Sequence, residues 1–313
     1  MIVKSLTPKY KVLMQNRPKK LWIGGDMVQL EKTQDALTLK GHDVWFEDRT
    51  DNEIDADIVH LFNFSMRWTY QQYLNAKKQN KKIVCSMIYH ATDRFVGWLE
   101  QQQMLNGMDA LIFQTEGEME RVQKNCNLDL DKCWVIPNGI DRWWFDPIKT
   151  VKQEIILTVG RIEPFKNQLT LAKVCREMKV PLICVGEVTD ASYAKNIIAQ
   201  GGIILPPMTH EELKPLYAVC KIFAIISDNE TWSLVADEAG SQSANIIMTE
   251  GCERKDIPNV FKVPPHDELQ IRFAIQKAME LQPNDTFRER LRANTWDKVA
   301  TKIERVYENI SSC

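Results

Sequence analysis

Along the second half of the chain, short apolar, β-branched runs alternate with longer stretches in which apolar residues recur every three or four positions. The runs are 154–160 (EIILTVG), 181–187 (PLICVGE), 202–205, 221–227 (KIFAIIS), 244–250 (ANIIMTE) and 260–263. Between the first two, residues 167–178 place Leu171, Val174, Cys175 and Met178 at i, i+3, i+4 and i+7, the stripe of an amphipathic helix. Further helices are expected over 190–200, 209–218, 233–243 and 266–281. Strands that alternate with helices imply right-handed βαβ crossovers and a parallel sheet covered on both faces.

The first half repeats this pattern more loosely. Strands are expected near 11–15, 44–47, 57–61, 83–87, 110–113 and 133–136, with helices near 27–40, 66–78 and 115–125. The expected class is therefore α/β, with two Rossmann-like domains in succession. The junction belongs in 146–153 (DPIKTVKQ), where proline and polar residues precede the strong strand at Ile155. This gives domains 1–148 and 149–290. Two helices, 286–293 and 296–310, follow the last strand without joining the sheet, so a tail over 291–313 is expected to cross back to the first domain.

Composition narrows the function classes. The 313 residues suit about two domains. Forty Lys plus Arg against 42 Asp plus Glu give a formal charge of -2, which argues for no nucleic-acid partner. No stretch of about 18 apolar residues occurs and no signal segment opens the chain, so a cytoplasmic protein is expected. The eight cysteines are scattered without a C-x-x-C pair, as buried thiols would be, and the five histidines form no zinc-ligand spacing.

In open parallel sheets, ligands bind beyond the carboxyl ends of the strands, where helix N-termini present unpaired N–H groups. Four groups of residues fall there: Gly24-Gly25-Asp26 in the loop before the first helix, His90 after the strand ending at Met87, Arg161 after Gly160, and Glu230 after Ser227. Gly24-Gly25 has no side chain to obstruct an anion, though a bare Gly-Gly reads first as a plain tight turn before a helix, and G-x-G-x-x-G is missing, which disfavours an NAD enzyme. Arg161 and Lys166 leave one strand together, and two fixed cations at a helix start suit a leaving diphosphate. The alternative is a solvated loop pair.

Glu230 and Glu238 stand eight positions apart, which at 100° per helical residue separates them by about 80°, so they do not read as a facing acid–nucleophile pair. A carboxylate early in the helix suits ribose hydroxyls, and one in the preceding loop suits a reacting sugar. The pairs Asp55/Asp57 and Asp129/Asp131 precede their strands, so they read as caps and not as metal ligands. The run Lys77, Lys78, Lys81, Lys82 reads as a solvated helix end. Joined with Lys4, Lys9, Lys11, Arg17, Lys19 and Lys20, it would instead offer anionic lipid a peripheral contact surface on the first domain.

With those residues in place, the chain resembles retaining glycosyltransferase family 4, whose members have two-domain GT-B architecture. The family segment S-x-x-E-G-F-G-L-x-x-x-E-A appears here as S-D-N-E-T-W-S-L-V-A-D-E-A, Ser227 to Ala239. Supporting pieces are VGRIEPFKN (159–167), IPNGID (136–141), GGD (24–26), GHDV (41–44), DIVH (57–60) and SMIYH (86–90). The resemblance implies two domains facing across a cleft, a UDP- or GDP-type nucleotide-sugar donor, transfer of a hexose with retention to a glycan, lipid or protein acceptor, and no metal cofactor. It implies that Arg161 and Lys166 hold the diphosphate, Glu238 the ribose, and Glu230 the sugar or β-phosphate side.

By the same resemblance Thr231, Trp232, Ser233 and Leu234 line the donor pocket, Gly24 and Gly25 let backbone approach the diphosphate, and His90 lies near the transferred sugar. The family is thought to react by front-side attack, the departing phosphate taking the acceptor proton. Thr231-Trp232-Ser233 departs from the family's Gly-Phe-Gly and leaves the donor sugar open. It also keeps two other readings open: a non-catalytic nucleotide-sugar-binding subunit, or a phosphorylase or epimerase of the same architecture.

Overall fold

A computed structural model describes residues 9–18, 24–89, 96–252, 254, 257, 260–283 and 285–312. The chain divides into two compact units, one made of Met1–Gly139 with Asn294–Cys313, the other of Ile140–Ala293. The division falls at Gly139/Ile140, ahead of the expected proline-containing junction, because Trp144 and Phe145 are buried in the core of the second unit. The chain returns to the first unit at Asn294.

In the first unit, β1 (Lys11–Gln15), β2 (Asp43–Phe46), β3 (Ile58–Phe62), β4 (Lys82–Ser86), β5 (Ala110–Phe113) and β6 (Cys133–Val135) form a parallel sheet of order β2-β1-β3-β4-β5-β6. Helices α1 (Gly25–Leu39), α2 (Arg67–Lys78), α3 (Trp98–Gly107) and α4 (Glu116–Gln123) connect its strands. Successive strand residues point to opposite faces, so both faces are apolar: Leu13, Val59, Leu61, Ile83, Cys85, Leu111 and Phe113 join one core cluster, while Val12, Met14, Ile58 and Val84 are buried on the other side. Helix α3 lies outside the helices expected from periodicity. Its stripe is masked by a run of three glutamines, one of which, Gln101, is buried and donates to the Val96 carbonyl (2.9 Å).

The second unit carries β7 (Gln153–Val159), α5 (Gln168–Met178), β8 (Leu182–Val185), α6 (Ala191–Ala199), β9 (Ile203–Leu205), α7 (His210–Val219), β10 (Cys220–Ile225), α8 (Leu234–Ser241), β11 (Asn245–Thr249), β12 (Phe261–Val263), α9 (Glu268–Glu280) and α10 (Thr286–Leu291). The strands form a parallel sheet of order β12-β11-β10-β7-β8-β9. Alternation again serves both faces: Ile222 and Ala224 enter one core, and Phe223 and Ile225 the other. Every expected strand and helix of this unit is present, with ends displaced by a few residues at most.

Helix α11 (Trp296–Ser311) belongs to the first unit. Gly139 makes its close approach possible, since a Cβ there would sit 2.7 Å from the Trp296 nitrogen. Tyr307 bonds to His60 Nδ1 (2.7 Å), whose Nε2 meets the Ser86 hydroxyl (2.9 Å). Burial lowers His60 to about 3, so it stays neutral in this network. Glu304 lies between Lys9 (2.6 Å) and Lys40 (3.1 Å), with His42 Nε2 at 3.4 Å.

Burial pushes the Glu304 carboxyl up, but the hydrogen bonds and charges of Lys9 and Lys40 outweigh it and hold the group at about 2. A folded-state value below the ordinary 4.5 means that the stabilisation is present above pH 4.5 and is lost as pH falls toward 2. Glu304→Gln is accordingly expected to lower Tm at pH 7 and to flatten its fall between about pH 4.5 and 2, as measured by calorimetry. Identical pH profiles for the two proteins would refute this role.

Candidate active site

At the carboxyl edge of the second sheet, β7 ends at Val159 and the chain turns through Gly160 into Arg161. Gly186, which follows β8, has φ +154°, and a Cβ there would lie 2.0 Å from the Gly160 carbonyl oxygen. Only glycine allows the two turns to pack this closely. Gln168 Nε2 donates to the Arg161 carbonyl (2.7 Å), and the Arg161 guanidinium lies 3.0 Å from Glu163. A single helical turn, Pro164–Lys166, then leads into α5 through Asn167, whose left-handed backbone (φ +54°) ends the turn and starts the helix.

This arrangement brings Lys166 to the turn after β10. Its Nζ is 2.6 Å from Glu230 Oε1, and the Ser227 hydroxyl donates to the same oxygen (2.8 Å). A backbone bond from Asp228 N to the Phe165 carbonyl (3.0 Å) ties the two turns together. Glu230 is 7% exposed, so its charge is held by these partners and not by water. Arg161 and Lys166 remain partly exposed, at 35% and 20%, and so are open to a solute anion.

Thr231 and Ser233 are buried, and the Ser233 hydroxyl caps α8 by accepting from Ala236 N (3.3 Å). Trp232 is not a loose substitute for the family's phenylalanine. Its indole N–H donates to Asp237 (2.8 Å), the Arg254 guanidinium lies 3.6 Å from its ring centroid, and Arg254 and Asp237 form a buried ion pair at 2.6 Å. Leu234 begins α8 and is half-buried. Glu238, on the next turn, accepts from the Tyr217 hydroxyl (2.9 Å) and lies 3.5 Å from His210 Nε2. Burial and the Glu238 charge push the Tyr217 phenol up, so it stays protonated and donates.

In the first unit, α1 begins at Gly25 with Gly24 as its cap, so Gly25 and Asp26 lie within the helix and not in a loop before it. The Gly24 carbonyl accepts from Met27 N (3.0 Å), and nothing lies within 4 Å of where a Gly25 Cβ would be. Asp26 pairs with Arg17 at 2.8 Å, and Arg17 is fully buried. Arg17 therefore leaves the expected basic lipid-facing surface: an ion pair closed off from water presents no charge to a membrane. His90 lies outside the described residues, as do Lys4, Lys19 and Lys20.

Residues absent from the sequence reading complete these clusters. Glu118 is fully buried and accepts from Tyr89 N (2.7 Å) and Gln114 N (2.6 Å), tying the turns after β4 and β5. Its signal was Thr115-x-x-Glu118, a capping-box pattern, and Thr115 does cap α4. Tyr217 and His210 carried no comparable signal, being isolated polar residues on an amphipathic helix. Asp55 pairs with Lys11, and Asp129 caps a short turn. Among the described residues, no group of three His, Cys, Asp or Glu side chains is placed to hold a metal ion, and no helix is long and apolar enough to cross a membrane.

Against known proteins, the family model for glycosyl transferases group 1 matches residues 140–298, and that for Glycosyltransferase Family 4 matches residues 38–143. The chain belongs to the glycosyl transferases group 1 family. It is 24% identical over 212 residues to a D-inositol 3-phosphate glycosyltransferase of Xylanimonas cellulosilytica, covering 58% of this chain and 50% of that protein. It is 26% identical over 178 residues to the protein of the same name from Corynebacterium glutamicum, covering 47% and 42%. The chain thus spans about half the length of the curated relatives it matches.

Among solved structures, sucrose-phosphate synthase of Thermosynechococcus elongatus superposes with a TM-score of 0.81 at 16% identity, covering 97% of this chain and 100% of that one. HepE of Anabaena in complex with UDP-glucose gives 0.74 at 14%, with the same coverage. The fold is the α/β GT-B fold of these glycosyltransferases.

The buried Trp232–Asp237–Arg254 cluster makes a direct prediction. Asp237→Ala leaves the Arg254 charge buried without this carboxylate and is expected to cost about 3–5 kcal/mol of stability. Urea denaturation measures it, and a loss below about 1 kcal/mol would show that the cluster does not hold the start of α8.

Proposed function

We propose that the chain is a retaining glycosyltransferase that moves a hexose from a UDP- or GDP-type nucleotide sugar to an acceptor hydroxyl, without a metal cofactor. The observation that carries this reading is the meeting of Lys166 with Glu230 at the carboxyl edge of the second sheet, locked by Ser227 and the Phe165–Asp228 backbone bond, with Arg161, paired to Glu163, on the same turn after β7. In this reading the bond between the anomeric carbon and the β-phosphate oxygen breaks as the acceptor oxygen bonds to that carbon. The acceptor proton passes to the departing phosphate. Arg161 and Lys166 neutralise the charge that grows there, the largest single contribution such a site can make.

Glu230 then acts through Lys166, fixing the ammonium where the diphosphate arrives, and Glu238, oriented by Tyr217, accepts the ribose hydroxyls. The names of the relatives support an acceptor related to inositol phosphate, and the UDP-glucose complex of HepE supports a UDP donor. Thr231-Trp232-Ser233 favours one alternative, a subunit that binds nucleotide sugar without transferring it, because Trp232 is committed to the Arg254–Asp237 cluster.

The test is a panel of nucleotide sugars with inositol phosphate, glycan and lipid acceptors, the product's anomeric configuration being read by NMR. Retained configuration is expected, and Arg161→Ala or Lys166→Ala should each lower kcat/KM by about 100- to 1,000-fold. Full turnover in both variants would overturn the assigned roles, and tight donor binding without transfer or hydrolysis would support the alternative.

A further inference from the structure

A cavity with a volume of about 420 Å³ lies in the same unit at the opposite, amino edge of its sheet. Lys152 immediately precedes β7 and Lys221 is the second residue of β10, and both line it. Because β7 is seven residues long, this edge is roughly 20 Å from the Gly160 turn. The cavity is of small-ligand size, and its residues take no part in the proposed transfer.

Its charge is one-sided. Lys149, Lys152, Lys221 and Arg288 line it against a single carboxylate, Asp285. That carboxylate already accepts from Arg288 and from the Ser243 hydroxyl (2.7 Å). Lys152 donates to the carbonyls of Tyr217 (2.9 Å) and Gln242 (2.8 Å), and among the described residues no carboxylate pairs with it. Burial lowers Lys152 to about 8, the mark of an ammonium without a counter-charge. Arg288 is 90% withdrawn from solvent at its side chain, and its Nε has no hydrogen-bond partner among the described residues. Four cations against one carboxylate around a concave polar surface favour a multiply charged anion over a neutral sugar.

We propose that this amino-edge cavity is a binding site for a small phosphate-bearing molecule, separate from the proposed donor site. The phosphate lies against Lys149, Lys152 and Lys221, and the rest of the molecule covers the apolar wall of Ile148, Val151 and Pro283. The inference does not rest on the transfer reaction and stands or falls independently of it.

Calorimetric titration with inorganic phosphate and with ribose 5-phosphate, at constant ionic strength set with chloride, tests it on the full chain. Binding of both probes is expected, tighter for ribose 5-phosphate. A Lys149→Ala/Lys221→Ala variant should lose at least tenfold in affinity, while Arg161→Ala/Lys166→Ala keeps this binding. Near-UV circular dichroism checks that both variants remain folded. Absence of binding at matched ionic strength, equal affinity in the Lys149→Ala/Lys221→Ala variant, or loss of binding only in Arg161→Ala/Lys166→Ala would each overturn the proposal.

Discussion

Lys166 reaches across from the turn after β7 to a carboxylate in the turn after β10, and the ion pair it makes with Glu230 fixes both turns at once. Neither partner would hold this position alone. Lys166 ends a single helical turn that needs Asn167 in a left-handed conformation, and Glu230 sits in a loop whose burial is tolerable only because Ser227 and Lys166 satisfy its oxygen. The backbone bond from Asp228 to Phe165 adds a second tie. The link holds the turn that carries Arg161 against the loop that leads into α8.

The parallel sheet makes the link possible. β7 and β10 are neighbours in the sheet, so their carboxyl ends, and the turns leaving them, emerge side by side. The glycine contact between Gly160 and Gly186 draws in the turn after β8. The buried Trp232–Asp237–Arg254 cluster then sets where α8 begins. The opposite edge of the same sheet gathers a different set of cations, because strand starts such as Lys152 and Lys221 collect there without matching carboxylates.

Much of this was legible in the sequence because it depends on periodicity. The strands and helices of the second unit announce themselves in alternating apolar runs, and the rule that ligands meet parallel sheets at carboxyl ends singled out Arg161, Lys166 and Glu230. What escaped depends on long-range pairing. Nothing local to Arg17 shows that Asp26 will bury it, and nothing in Trp232 shows that Arg254 will stack on it. Helix α3 was missed because Gln101, polar by composition, is used as a buried residue. The expected unit junction was displaced for a similar reason: Trp144 and Phe145 follow the IPNGID segment closely in sequence yet pack into the second core.

Hydrogen–deuterium exchange with and without saturating UDP or GDP tests the central claim most directly, because it reports where a nucleotide touches the intact chain. Slowed exchange concentrated in 160–168 and 227–238 is the predicted result. Protection elsewhere, with those two segments exchanging as fast as in the free protein, would contradict it.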